Sequence, residues 1–143
     1  MIKNERQYRV TKGQLAKLES ALKLGQQAES RMDPVIYKAM AAGIESQADD
    51  LRKELDEYER TKGAAALRLH SPKELPQLLI KARVARGYSQ KDLAQRLRLK
   101  PQQIQKYEAT EYRSASLARI LSVMEALDLH LDTEIHLGSS PPS

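Results

Sequence analysis

The chain has 143 residues, 41% of them hydrophobic and 30% charged, a size and balance that suit one compact domain or two small ones. It contains no Cys, Trp or Phe, which excludes disulfides and cysteine-bound zinc and leaves a core to be built from Leu, Ile, Val, Met and Ala, as packed helices do. The net charge is +5, and its distribution is uneven: positions 73 to 119 hold eleven Lys/Arg against four acids, positions 1 to 62 twelve against eleven, so a polyanionic partner is expected at the second half.

The first region is expected to be a helical hairpin over residues 1–62. Thr11 and Gln14 read as a capping box that opens a helix reaching about Gly25. Tyr8, Thr11, Leu15, Leu18 and Leu22 form its apolar stripe. Asp33 caps a second helix with Pro34 at its first position. Its stripe is Tyr37, Ala41, Ile44, Ala48, Leu51, Leu55 and Tyr58, which alternates steps of four and three like a coiled-coil seam. Two readings stand side by side: a plain packing appendage, or an oligomerisation or partner-binding arm. Residues 63–70 are read as a linker. No run of about 18 apolar residues occurs, and no apolar signal core follows the first residues. Neither a membrane contact nor export is expected, and the expected location is the cytoplasm.

A second domain is expected over residues 71–137. Ser71, Pro72 and Glu74 start a helix reaching about Arg86, with Leu75, Leu78, Leu79, Ala82 and Val84 inward and Gly87 as the stop. Ser89 caps a helix over 90–97, Pro101 starts another that ends near Glu108, and a last helix runs over about 116–127. Leu117, Ile120, Leu121, Met124 and Leu127 are its expected inward face. At residues 129–137 the period changes to strict alternation, which predicts one half-buried β-strand in need of a partner. Residues 138–143 are read as a disordered tail.

The stretch from Ser89 to Glu108 is the informative one. Ala94 is small where two short helices would cross. Leu93, Leu97, Leu99, Ile104 and Tyr107 fall where both helices meet a shared core, and three residues, Arg98, Leu99 and Lys100, join them at a steep angle. The second helix then projects Gln and Lys, which suit base edges and phosphates. The Ser-Gln-x-x-Leu-Ala opening at 89–94, Ile104 and the Tyr107–Glu108 pair resemble the helix-turn-helix of the lambda-repressor/Cro (xenobiotic-response-element) family. The resemblance covers residues 71–127, and with the expected strand it is closest to HipB-type antitoxins. The N-terminal hairpin lies outside it.

The resemblance implies a mainly α fold, an N-terminal antiparallel helical hairpin followed by a lambda-repressor-like domain with one C-terminal strand. By position it implies groove-facing roles for Lys100, Pro101, Gln102, Gln105 and Lys106, with Gln103 turned toward the DNA backbone. It implies phosphate contacts from Gln90 and from Tyr112, Arg113 and Ser114 in the following loop. Lys81, Arg83, Arg86 and Lys91 are candidates for a wider basic footprint, or simply solvated charges. Where the family carries Gly, this chain has Arg98, which implies a left-handed non-glycine residue at a cost of about 1–2 kcal/mol.

No catalytic residue, metal ligand or cofactor is expected. His130 and His136 are six positions apart on the polar face of the expected strand, His70 is isolated, and Asp49, Asp50, Glu54, Asp56 and Glu57 read as a solvated helix face. The implied function is repression by sequence-specific binding of double-stranded operator DNA as a homodimer. The favoured setting is an autorepressing antitoxin with a toxin as protein partner. The alternatives are a stand-alone regulator and a non-DNA scaffold built on the hairpin.

Overall fold

In the computed structural model, residues 1–139 are described. In chain order the elements are α1 (Glu5–Ala28), a 3-10 turn (Glu29–Arg31), α2 (Pro34–Thr61), a second 3-10 turn (Pro72–Glu74), α3 (Leu75–Ala85), α4 (Gln90–Leu97), α5 (Pro101–Ala109) and α6 (Leu117–Ala126).

α1 and α2 form an antiparallel hairpin. Tyr8 stacks on Tyr58 with ring centroids 4.9 Å apart, Glu19 meets Arg52 at 3.4 Å, and Gly25 lies beside the Tyr37 ring. All the stripe residues named for the two helices are buried or half-buried. α2 begins as its sequence predicts: the Asp33 side chain accepts from the Val35 and Ile36 amides, with Pro34 at the first helical position. α1 does not begin at Thr11. Asn4 is its N-cap and accepts from the Gln7 amide at 2.8 Å, while the Gln7 side chain accepts from the Lys3 amide at 2.8 Å. Thr11 is a buried residue inside the helix, which also runs past Gly25 to Ala28. An Asn–Gln pair satisfies the first orphan amides as well as a Thr–Gln pair, and the earlier cap gains two more turns of packing.

α3 to α6 enclose the main core. Leu79, Ile80, Leu93, Ala94, Ile104, Val123 and Leu127 are essentially inaccessible. Each large aliphatic buried here contributes about 1.5–3 kcal/mol. α3 is buried on two sides, so Ile80 and Arg83 join Leu79, Ala82 and Val84 inside. Val123 of α6 and Leu127 just beyond it are buried, and Ile120 and Met124 are half-buried beside them, a three-four stripe. Leu117 and Leu121, expected inward, are 70% and 55% exposed.

The expected strand is absent: among the described residues no strand occurs, and residues 129–137 form a coil. Leu129 still packs against the core, but Leu131, Ile135 and Leu137 are 56%, 87% and 90% exposed. Alternation specifies two faces, and it makes a strand only where a neighbouring edge accepts the backbone hydrogen bonds. No such edge is offered to this segment among the described residues. Of the tail, Gly138 and Ser139 are exposed coil, and residues 140–143 lie outside the described residues.

The chain leaves α2 at Lys62, turns at Gly63 with φ +79° and reaches the 3-10 turn at Pro72 without further helix, so Ala64, Ala65 and Ala66 do not extend α2. The Gly63 amide donates to the Ala85 carbonyl at 3.1 Å. Ile2, Leu55, Tyr58 and Val84 form a second small core, where the base of the hairpin sits against α3.

Candidate nucleic-acid interface

α4 is fixed by a reciprocal capping box. Ser89 Oγ accepts from the Asp92 amide at 3.0 Å, and the Asp92 carboxylate accepts from the Ser89 amide at 2.9 Å. Hydrogen bonding by Ser89, its backbone amide first and its side chain second, holds the Asp92 carboxyl below the usual aspartate value. The helix ends at Arg98 in the left-handed conformation, φ 57° and ψ 40°, and the Leu99 amide returns to the Ala94 carbonyl at 2.8 Å. Lys100 is extended at the head of α5 and its amide donates to the Gln103 side-chain oxygen at 3.0 Å. Pro101 occupies the first helical position, where its missing N–H costs nothing.

Ile104 and Glu108 face inward from α5, both at 1% exposure or less, and Tyr107 is half-buried. Gln102, Gln103, Gln105 and Lys106 all lie on the exposed side, with Lys100 exposed and Pro101 half-buried at the entrance. Gln102 and Lys106 are four apart and share one strip of helix surface. Gln103 is partly spent on the Lys100 amide and is less free to reach DNA than its exposure suggests. Arg113 and Ser114 are exposed in the loop after α5.

Two of the sequence-derived positions are used internally. Tyr112 is 3% exposed, with a positive φ of 56°; its ring stacks on Tyr107 at 5.7 Å and offers no side chain to DNA. Burial pushes its hydroxyl pKa well up. Two consecutive left-handed residues, Glu111 and Tyr112, turn the ring inward, and nothing in the loop's composition announces that turn. Gln90 is half-buried and its amide donates to Glu108 Oε1 at 3.0 Å. Of the wider basic set, Lys91 is exposed. Lys81 pairs with Glu57 at 3.0 Å, and Arg86 donates to the Leu127 and Asp128 carbonyls at 2.9 and 2.8 Å. Arg83 is neither a phosphate contact nor a solvated charge. It is 1% exposed and clasps the Glu108 carboxylate with two bonds of 2.7 and 2.9 Å.

The geometry is that of two short helices pinned at a steep turn, with the second presenting a Gln/Lys face to solvent. Residues 79–133 match the sequence model of the family described as helix-turn-helix. This segment is a helix-turn-helix DNA-binding domain. No curated protein and no solved structure matches the chain. Within the helix-turn-helix domain α4 and α5 are the paired helices, and α5 is the one that presents the free Gln/Lys face. The domain is of the kind that transcription regulators use to bind double-stranded DNA. Sequence reasoning missed the Arg83–Glu108 pair. Its one signal was a charged residue, Arg83, placed inside the apolar run of α3, opposite a Glu at an inward position of α5.

Proposed function

We propose that this protein is a sequence-specific transcriptional repressor that binds its operator as a homodimer, has no enzymatic activity, and acts in the cytoplasm as the antitoxin of an operon it represses. One observation carries the DNA-reading part: Gln102, Gln105 and Lys106 stand exposed on a helix whose opposite side is locked by Ile104 and Glu108. A glutamine can pair bidentately with adenine, and a lysine with guanine O6/N7 or a phosphate. Among the described residues no helix is long and apolar enough to cross a membrane.

The homodimer reading is supported by apolar surface that one chain leaves open. Leu117 and Leu121 on α6 are exposed, as are Leu131, Ile135 and Leu137 beyond it. A two-fold dimer sets two reading helices about 34 Å apart, one DNA turn. The toxin reading gives the hairpin a task. Its charge is balanced, and Leu24, Val35, Ile36 and Met40 are exposed near its far end.

The test of the DNA reading is selection from random duplexes, then titration of the selected and an unrelated duplex at several salt concentrations. Gln102→Ala and Lys106→Ala are expected to cost about 1–3 kcal/mol on the selected duplex and to relax preference at one or two base pairs. Equal losses on both duplexes would make these residues backbone clamps and move recognition elsewhere. The antitoxin reading expects a neighbouring gene whose product arrests growth until this chain is co-expressed. Arrest that this chain does not relieve leaves a stand-alone regulator.

A further inference from the structure

Arg83 has five N–H donors, and the pair with Glu108 uses only Nε and one hydrogen of Nη2. Nη1 donates to the Tyr88 carbonyl at 2.8 Å, in the turn between α3 and α4. The remaining Nη2 hydrogen goes to the Lys3 carbonyl at 2.7 Å, eighty residues earlier in the chain. Lys3 lies outside the matched segment 79–133. Its own Nζ stands 3.4 Å from the Glu108 carbonyl, in the last turn of α5. One buried guanidinium is therefore held from three directions: by α5 through Glu108, by the α3–α4 turn through Tyr88, and by the start of the chain through Lys3.

The Lys3 carbonyl is not placed by the helix-turn-helix domain alone. Ile2, its neighbour, is 5% exposed and clusters with Leu55 and Tyr58 of α2 and Val84 of α3. On the other side Lys3 is tied to the first turn of α1 through Gln7. A buried charged donor stripped of its acceptor bears a full desolvation penalty, so Arg83 would shift toward another acceptor or toward water. Glu108 follows the guanidinium that grips it, and Glu108 lies within one turn of Gln105 and Lys106.

We infer that Ile2 and Lys3 form a positioning element for the reading helix: the Lys3 carbonyl completes the Arg83 site, and the seating of the hairpin base thereby sets DNA affinity. The inference rests on the reading of α5 as the DNA-reading helix. The element touches no DNA, and acts through Arg83 and Glu108. Whatever lifts the hairpin base off Val84 withdraws the same carbonyl, so a protein bound to the hairpin has a route to the operator.

The experiment uses full-length chains with two readouts, amide hydrogen exchange without DNA and titration with the selected duplex. Ile2→Asp, which unseats the anchor, is expected to lower protection in the last turn of α5 and affinity for the duplex each about tenfold, with the salt slope unchanged. α6 should keep its protection. Ile2→Val should retain both properties. Lys3→Ala keeps the carbonyl and gives up only the long 3.4 Å approach of Nζ to the Glu108 carbonyl, so it should stay within about twofold of the wild type. The inference is overturned if Ile2→Asp frees the first turn of α1 while α5 protection and affinity stay at wild-type values. It is equally overturned if Lys3→Ala reproduces the loss with a shallower salt slope, since the ammonium would then be a direct phosphate contact. Should Ile2→Asp strip protection from α6 as well, the milder Ile2→Ala carries the same comparison. Failure of the wild type to bind any selected duplex would sink the reading of α5, and the exchange readout would still decide the coupling.

Discussion

At Arg98 the backbone must close α4 and launch α5 within three residues, and it does so at φ 57° in the left-handed region. A residue with a Cβ bears about 1–2 kcal/mol there. Part of that is regained on replacement by glycine, whose freer unfolded chain offsets the rest. Arg98→Gly is therefore expected to stabilise the protein by about 1 kcal/mol in urea titrations with an unchanged m-value. A loss of stability would show that the arginine side chain contributes more than the strain it brings. Tyr112 gives the converse case. Its hydroxyl is buried and has no hydrogen-bond partner among the described residues. Tyr112→Phe keeps the stack on Tyr107 and removes the orphan, so it should be neutral or stabilise by up to about 1 kcal/mol. Destabilisation beyond about 1 kcal/mol would mean that the hydroxyl is satisfied in solution. The Arg98 conformation was legible through the family resemblance, which carries glycine at that position. The fate of Tyr112 was not, because an aromatic in a polar loop reads equally as a phosphate contact or as a core plug. Two left-handed residues in a row decide between them.

Elements whose ends are set by local chemistry were the most legible. The Ser89–Asp92 box bounds α4, Pro101 opens α5 and Ser116, accepting from the Arg119 amide, opens α6. The box also predicts a pH dependence. Its bonds depress the Asp92 pKa in the folded protein, so the carboxylate's contribution is complete above the ordinary aspartate value of about 3.9. It is lost as pH falls below that value and through the depressed folded one. Asp92→Asn should therefore differ from the wild type by a constant amount near neutrality, and the gap should narrow only below about pH 4. A gap independent of pH down to 2 would show that charge has no part in the cap. Elements that depend on a distant neighbour were legible only in part. The start of α1 was misplaced because two competent capping pairs lie seven residues apart and only the packing against α2 chooses between them. The alternation of residues 129–137 named its apolar residues but could not supply the edge that would make them a strand.

At the scale of the whole molecule, sequence separates a balanced hairpin from a basic helix-turn-helix domain, whereas the structure puts shared chemistry at their junction. Val84 is 7% exposed because Ile2, Leu55 and Tyr58 cover it, and among the described residues one Arg83 N–H is satisfied only by the Lys3 carbonyl. The Lys81–Glu57 pair adds little, since both side chains keep a third or more of their exposure. A chain beginning at residue 63 would keep all of α3 to α6 yet uncover Val84 and strand a donor of a buried ion. Losing one bond to a charged group and part of one valine's burial amounts to about 2–4 kcal/mol. The truncated chain is thus expected to fold with the same helices by circular dichroism, but with a lower urea midpoint for the helix-turn-helix domain. Restoring residues 1–62 with Leu55→Ala should recover only part of the difference, because that side chain belongs to the cover on Val84 while the Lys3 carbonyl returns. Equal midpoints for the truncated and full chains would mean that Arg83 finds another acceptor without cost, and the two units would then be joined by the linker alone.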